Sequence, residues 1–201
     1  VNYDMTPMYA MHNALRREVE HLAKATARMG DDPRRVLAAA VGWELFKKAL
    51  HVHHTTEDDA LWPPMREALA SRPGDLALLE AMEAEHAAID PIIEAVDKGT
   101  DPIGDLADAL ATALNAHLEH EEREALPLID ATVTPEQWQN FGRLHGSRIG
   151  PDAPRLFPWI LDGVDEKTAA VLLAPLPEPV RGAFESEWRP AYEALTRWPA
   201  C

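Results

Sequence analysis

An all-α fold is what this 201-residue chain predicts: an up-down-up-down four-helix bundle with a Pro/Trp-rich C-terminal helical extension. Three observations carry that reading. Four long segments repeat apolar residues at three- and four-residue spacing. Nowhere do β-branched and aromatic residues alternate for more than a few positions, so strand signals are missing. The breaks between the long segments are short and made of Pro, Gly and Asp, which makes consecutive helices antiparallel neighbours.

The first helix is expected from about Thr6 to Met29, with Thr6-Pro7 as cap and first turn and Gly30-Asp31-Asp32-Pro33 as the break. Met8, Met11, Leu15, Val19, Leu22 and Met29 form its stripe. The second runs from about Pro33 to Trp62 and stops at Pro63-Pro64, with Val36, Ala39, Trp43, Phe46, Leu50 and Leu61 inward. The third runs from about Asp75 to Lys98 behind Leu79, Met82, Ile89 and Ile93; Pro91 should kink it or loosen one turn. After Gly99-Thr100-Asp101-Pro102, the fourth runs from about Asp105 to Leu126 on Leu106, Leu110, Leu114 and Ala125. From about residue 131 the character changes. Nine of the 17 prolines and four of the six tryptophans fall there, too aromatic for a disordered tail. Short helices are expected, Pro135 to about Ile149 and about Pro179 to Leu195, folded on the bundle. The expected division is a bundle over 1–130 and an extension over 131–201.

Composition excludes several classes. A formal net charge of −15 makes phosphate backbones and anionic lipid surfaces poor partners, so neither nucleic acid nor membrane is expected. The single cysteine, Cys201, rules out an internal disulfide and a thiolate zinc site. No long apolar run and no signal-peptide pattern is seen, and the expected location is cytoplasmic. No protein partner is indicated. What remains to be explained is nine histidines.

At about 100° per residue, helical positions can be assigned from sequence. His12 lies on the first stripe between Met8 and Leu15, whereas His21 is about 180° away and faces solvent. On the second helix, with Leu50 as centre, Glu57 is about 20° off, His53 about 60°, and His54 about 40° on the other flank. His86 sits near the centre of the third stripe. On the fourth, with Leu114 as centre, His117 is about 60° off and Glu121 about 20°. Thus His53-x-x-x-Glu57 and His117-x-x-x-Glu121 hold equal angular positions, and each is followed by a proline, Pro63 and Pro127, expected to end its helix. The repeat resembles an internal duplication. In an antiparallel bundle the four inward histidines also agree in height to within two turns.

Buried imidazoles and carboxylates are costly unless paired. A hydrogen-bonded network would have to satisfy every member; divalent or trivalent cations use neutral imidazole and carboxylate directly. Bundle-core sites of this kind usually hold iron or manganese, and without sulfur a closed zinc site ranks lower. His54, Asp58, Asp90 and His120 stand at the flanks as candidates for direct or outer contacts. His21, His51 and His145 are expected to be solvated or outer, and the acidic run Glu119 to Glu124, apart from Glu121, to be a solvated face.

These residues resemble the hemerythrin-like family, also called HHE cation-binding domains, over about residues 6 to 128, in the bacterial type with a C-terminal extension. The match comprises the inward His12, His53-x-x-x-Glu57 with a following Leu-x-Pro, Glu85-His86, and His117-x-x-x-Glu121-Glu122 with a following Pro. The resemblance implies that His12, His53, Glu57, His86, His117 and Glu121 are ligands of a non-haem di-iron centre. Glu57 and Glu121 would bridge two iron ions, with an oxo, hydroxo or water bridge between them. Oxygen-carrying members place a second histidine four residues on in the third helix; Asp90 stands there in this sequence. Either one iron lacks a histidine, or His54 or Asp90 supplies the ligand.

The expected function is that of a di-iron protein binding or reacting with a small ligand: oxygen, peroxide or nitric oxide. Its pocket would be lined by Met11, Leu15, Phe46, Leu50, Met82, Ile89 and Leu114. Two alternatives stand beside it, a di-iron enzyme with catalase-like or oxidase activity and an iron- or oxygen-responsive sensor.

Overall fold

A computed structural model describes residues 2–27, 37–38, 40–99 and 102–198. Met29, Val36, Ala39, the Gly30-Asp31-Asp32-Pro33 break, Thr100-Asp101 and Cys201 lie outside the described residues. Among the described residues all regular structure is helical, as the periodicity predicts.

Helix α1, Thr6–Thr26, starts with Pro7 in its first turn, where no N–H is needed. The side chain that accepts the free Thr6 N–H is Asp4 (2.9 Å), so Thr6 opens the helix rather than capping it. Met8, Met11, Leu15, Val19 and Leu22 are all buried. Helix α2, Val41–Ala60, buries Trp43, Phe46 and Leu50, and α3, Trp62–Ala68, follows after one residue. Pro63 and Pro64 therefore do not stop the chain's helical course; they fall in the first turn of the next helix.

Helix α4, Pro73–Lys98, runs through Pro91 and ends at Gly99, whose φ of 56° lets its N–H cap the Ala95 and Val96 carbonyls. Helix α5, Ile103–His120, passes through a π-turn at Glu121–Ala125 directly into α6, Leu126–Thr132. The expectation that Pro127 ends this helix is also corrected. A proline ring collides with the carbonyl four residues back in an α-helix; the wider turn, in which the Leu126 N–H reaches Glu121 O, precedes it.

The long helices α1, α2, α4 and α5 are neighbours in a ring, α1 against α2 and α5, and α4 against both α2 and α5. His12 meets His53 near the end of α2, whereas Glu18 lies against Gly42 at its start, so α1 and α2 run in opposite senses. Lys47–Asp97 and Asp58–His86 show the same for α2 and α4. The apolar interior falls into two clusters. One holds Met11, Leu15, Phe46, Leu50, Ile89 and Leu114; the other holds Met8, Trp62, Met65, Leu79, Met82 and Leu126. In α2 and α4 the inward histidine lies between residues of the two clusters, while His12 and His117 stand beside Met11 and Leu118 of the first.

The remaining chain forms α7 (Pro135–Ile149), α8 (Ala153–Leu161), α9 (Glu166–Leu173), α10 (Glu178–Ala183) and, after a π-turn at Phe184–Trp188, α11 (Arg189–Glu193). Thr134 and Gln137 form a capping box at the start of α7. Helix α7 packs on α2, and α8 on α1 and α2, burying Trp159 and Leu156; Phe184 and Tyr192 are buried as well. Arg17 of α1 donates to the carbonyls of Trp159 and Asp162, both at 2.6 Å.

Candidate metal centre

The layer between the apolar clusters contains seven buried ionisable side chains from four helices: His12, His53, His54, Glu57, His86, His117 and Glu121, each at most 5% exposed. They form two groups. His12, His53, Glu57 and Glu121 are one; His54, His86 and His117 are the other; within each, one potential ligand atom per residue lies within 4.8 Å of the rest. Donors sharing one ion at about 2 Å each would be up to about 4 Å apart, so little movement separates this arrangement from coordination.

Apart from one between His12 Nε2 and His53 Nε2 (3.0 Å), the hydrogen bonds run outward from the layer. His12 Nδ1–H donates to Glu122 Oε1 (2.9 Å), His86 Nδ1–H to Asp58 Oδ1 (2.9 Å) and His117 Nδ1–H to Glu85 Oε2 (2.9 Å). A carboxylate only accepts, so each Nδ1 carries a hydrogen. Nε2 of His86 and of His117 then faces inward without a hydrogen-bond partner, the orientation a metal ligand needs, set by an outer carboxylate. The partners are held in turn. Glu122 takes two bonds from the Arg16 guanidinium (2.7 and 3.0 Å), Asp58 accepts from Trp62 Nε1 (3.1 Å), and Glu85 also accepts from His120 Nδ1 (2.8 Å).

Inside the layer, partners are lacking. Both carboxylate oxygens of Glu57 and of Glu121 are buried without a hydrogen bond, as are Nε2 of His54, His86 and His117. Each glutamate faces both groups. Glu57 Oε1 is 3.3 Å from His53 Nδ1 and its Oε2 3.5 Å from His86 Nε2; Glu121 Oε2 is 3.2 Å from His12 Nε2 and 3.9 Å from His117 Nε2. None of these contacts has the geometry of a hydrogen bond. Orphaned buried oxygens cost free energy comparable to a lost hydrogen bond or more. A cation in each group would use all of them, so the donor set fits two metal ions.

The protonation states agree. Burial, then Glu121 and Asp58, push the Glu57 carboxyl well above its ordinary range. Burial drives His53 and His54 well below the ordinary histidine value, and surrounding imidazoles add to it. His117 is lowered too, burial outweighing Glu121. His12 goes the other way: burial opposes its proton, but Glu121 and Glu122 hold it and raise it to about 9. Burial likewise works against the Glu121 anion, yet His12 and His117 keep its carboxyl below the ordinary value. Without metal these shifts favour a proton on Glu57 and on His12, which a cation would displace.

Of the flanking candidates, His54 joins the three-histidine group, its ring stacked on His86 at 3.9 Å between centroids. Asp58 and His120 are outer contacts. Asp90 is exposed and in neither group, because it lies one turn beyond His86 toward solvent. Of the outer histidines, His51 is exposed, while His21 and His145 are partly exposed; burial, with Arg148 adding, holds His145 at about 4. The acidic run is not only a solvated face, since Glu122 orients His12. Glu85 and Glu122 stand in the matched motifs without a role assigned from sequence; the signal for both is an acid adjacent in sequence to an inward His86 or Glu121.

The hemerythrin HHE cation-binding domain matches residues 6–129, more than half of the chain. The chain belongs to that family. No curated protein and no solved structure matches it. Domains of the hemerythrin family bind metal ions, and in this member the His/Glu layer is where the structure offers ligands.

Proposed function

We propose that this hemerythrin-family chain is a non-haem di-iron protein that reacts with a small oxidant, oxygen, peroxide or nitric oxide, in an up-down-up-down four-helix bundle. His12, His53, Glu57 and Glu121 would hold one iron and His54, His86 and His117 the other, with Glu57 and Glu121 between them. The observation that carries this reading is the pair of glutamates, each facing both groups with all its oxygens unpartnered. His54 would then be the fifth nitrogen, supplied from α2 next to His53 and not from α4, and its place beside His86 and His117 supports this. Bound iron supplies an open position for a small ligand and electrons to share with it. Around it, Leu15, Phe46, Leu50, Met82 and Leu114 are buried at 2% exposure or less and keep bulk water out. Residues 131–201 pack as an extension on the 1–130 bundle.

Peroxide is the favoured substrate, on a specific observation. His120, whose side chain is 24% exposed, joins Glu85, which joins the buried His117 through bonds of 2.8 and 2.9 Å. Disproportionation converts two peroxide molecules into one dioxygen and two waters, moving two electrons and two protons from one peroxide to the other. A carboxylate between two imidazoles, one reaching solvent, can take up and return such protons. The test is anaerobic loading with ferrous iron, metal analysis, then peroxide addition in an oxygen electrode. Two irons per chain and gas evolution, both lost in Glu57→Ala, are expected. Absence of bound iron overturns the metal reading; bound iron with a stable visible band and no gas overturns the peroxide reading in favour of a binder.

A further inference from the structure

A groove between α2 and α4 opens onto one side of the layer. It encloses about 400 Å³, and His54 and His86 form its floor. Both rings are at least nine-tenths buried and have Nε2 without a hydrogen-bond partner. Asp58, Glu83, Asp90 and Glu94 line the walls, as does Lys47, whose charge is paired with Glu44 and Asp97. Their charges are not equivalent. Glu83 is paired with Arg66, Glu94 with Lys98, and Asp58 is bonded to His86 and Trp62. Asp90, one turn beyond His86 on α4, is the wall acid with no ion pair or side-chain hydrogen bond among the described residues.

We infer that this groove is the port through which a divalent cation enters the centre, with Asp90 drawing the cation in and Asp58 and His54 receiving it. The inference rests on the metal reading above. Asp90 contributes as a charge at the mouth. An unpaired carboxylate above imidazole nitrogens that have no hydrogen-bond partner offers oxygen and then nitrogen ligands in sequence, so an ion could shed water stepwise on its way down. A groove walled by low-dielectric protein concentrates the field of such a charge. His12, Glu57 and Glu121, by contrast, lie at 0% exposure and are not among the residues that line this groove.

The experiment follows cobaltous ion uptake by the chelated full chain in a stopped-flow spectrophotometer, at low salt and again at high salt. At low salt Asp90→Asn should slow uptake about threefold and Asp90→Lys about tenfold, the range for one and two charge units several ångströms away. Both differences should shrink at high salt while final cobalt content stays that of the native chain. Ala87→Trp, at an exposed residue of the groove wall, should slow uptake at every salt concentration by filling the passage. Asp108→Lys, the same charge change at an exposed site on α5, is the control. Uptake by Asp90→Lys no slower than by Asp108→Lys, or unaffected by Ala87→Trp, overturns the port and leaves the metal centre standing. A native chain that takes up no cobalt or iron overturns both.

Discussion

Helix α1 borders two sites where glutamate is fully buried, and they treat its oxygens in opposite ways. Glu18 is 1% exposed, and both its oxygens accept indole hydrogens: Oε2 from Trp159 (2.7 Å) and Oε1 from Trp198 (2.5 Å). Gly42 makes room for this, since a Cβ there would fall 2.5 Å from Trp198 Nε1 and 2.6 Å from Glu18 Oε1. In the layer that His12 of the same helix enters, Glu57 and Glu121 are just as deeply buried and meet imidazole nitrogens, with no hydrogen bond to any oxygen. The first site is complete as protein: it ties the C-terminal segment to the bundle. The second is complete only with cations. Burial of an acid alone distinguishes neither; the donors facing it do.

The sharpest way to break that comparison is to replace both kinds of acid with leucine. Glu18→Leu strands the buried indole hydrogen of Trp159 and the part-buried one of Trp198 and should destabilise the chain by about 3 kcal/mol, with or without metal. Glu57→Leu should do the reverse in chelator. Its carboxyl is pushed well above the ordinary range by burial, so above the unfolded value of 4.5 it opposes folding. Removing it should stabilise the metal-free chain by about 1–3 kcal/mol while abolishing binding at both positions. Urea titrations of the two variants in chelator check this; equal signs would show that the two sites are the same kind of site.

Metal removal itself should act on one site alone. A ligand at a thousand times its dissociation constant stabilises the folded state by about 4 kcal/mol. Thermal unfolding of iron-loaded and chelated protein should differ by that order, and the same difference should persist in Trp198→Phe. If chelation also released the C-terminal segment, protease cleavage after residue 161 would rise with it; the indole bonds to Glu18 predict no rise.

The contrast also shows what the sequence made legible. His12, His53, His86 and His117 could be placed because helical periodicity fixes a residue's angle locally, and Glu57 and Glu121 followed one turn on. His54 could be placed on a flank but not assigned, since its contact depends on where α4 lies. Glu85 and Glu122 look like ordinary solvated acids along their own helices; their roles come from α5 and α1. The Glu18–Trp198 bond spans 180 residues, and no local pattern announces it. Pro63 and Pro127 read as stops because the sequence does not show that the chain re-enters a helix there, once after a single residue and once through a π-turn.

Outer carboxylates should matter less than ligands. Glu85→Ala removes the acceptor of His117 Nδ1–H and frees the ring to turn or change tautomer. Losses of such partners reduce metal affinity about 10- to 100-fold. Competition with a coloured chelator measures this, and Glu85→Gln, which keeps an acceptor oxygen, should recover part of the loss. A loss equal to that of His117→Ala would mean that Glu85 is itself a ligand.

The smallest effect is a slope in pH, and its sign separates the two sites once more. In the metal-free chain the pKa values of His53, His54 and His117 are lowered from the ordinary histidine value of 6.5. Below 6.5 the unfolded chain then binds more protons than the folded one, so the stability these groups contribute is full above 6.5 and falls as pH drops toward their folded values. His12, raised to about 9, acts oppositely: its contribution is full below 6.5 and disappears as pH rises through 9. Urea midpoints of the chelated chain should therefore decline on both sides of neutrality. Asp and Glu elsewhere also lose charge in acid, but their ordinary values lie near 4, so a decline that begins between pH 6.5 and 5 belongs to the histidines with lowered values, His145 outside the layer among them, and is opposed by Glu57, whose raised value favours folding as pH falls. His54→Phe should flatten that part of the curve by removing a ring that resists protonation, and Trp159→Phe, at the other buried acid, should shift the whole curve downward without changing its shape.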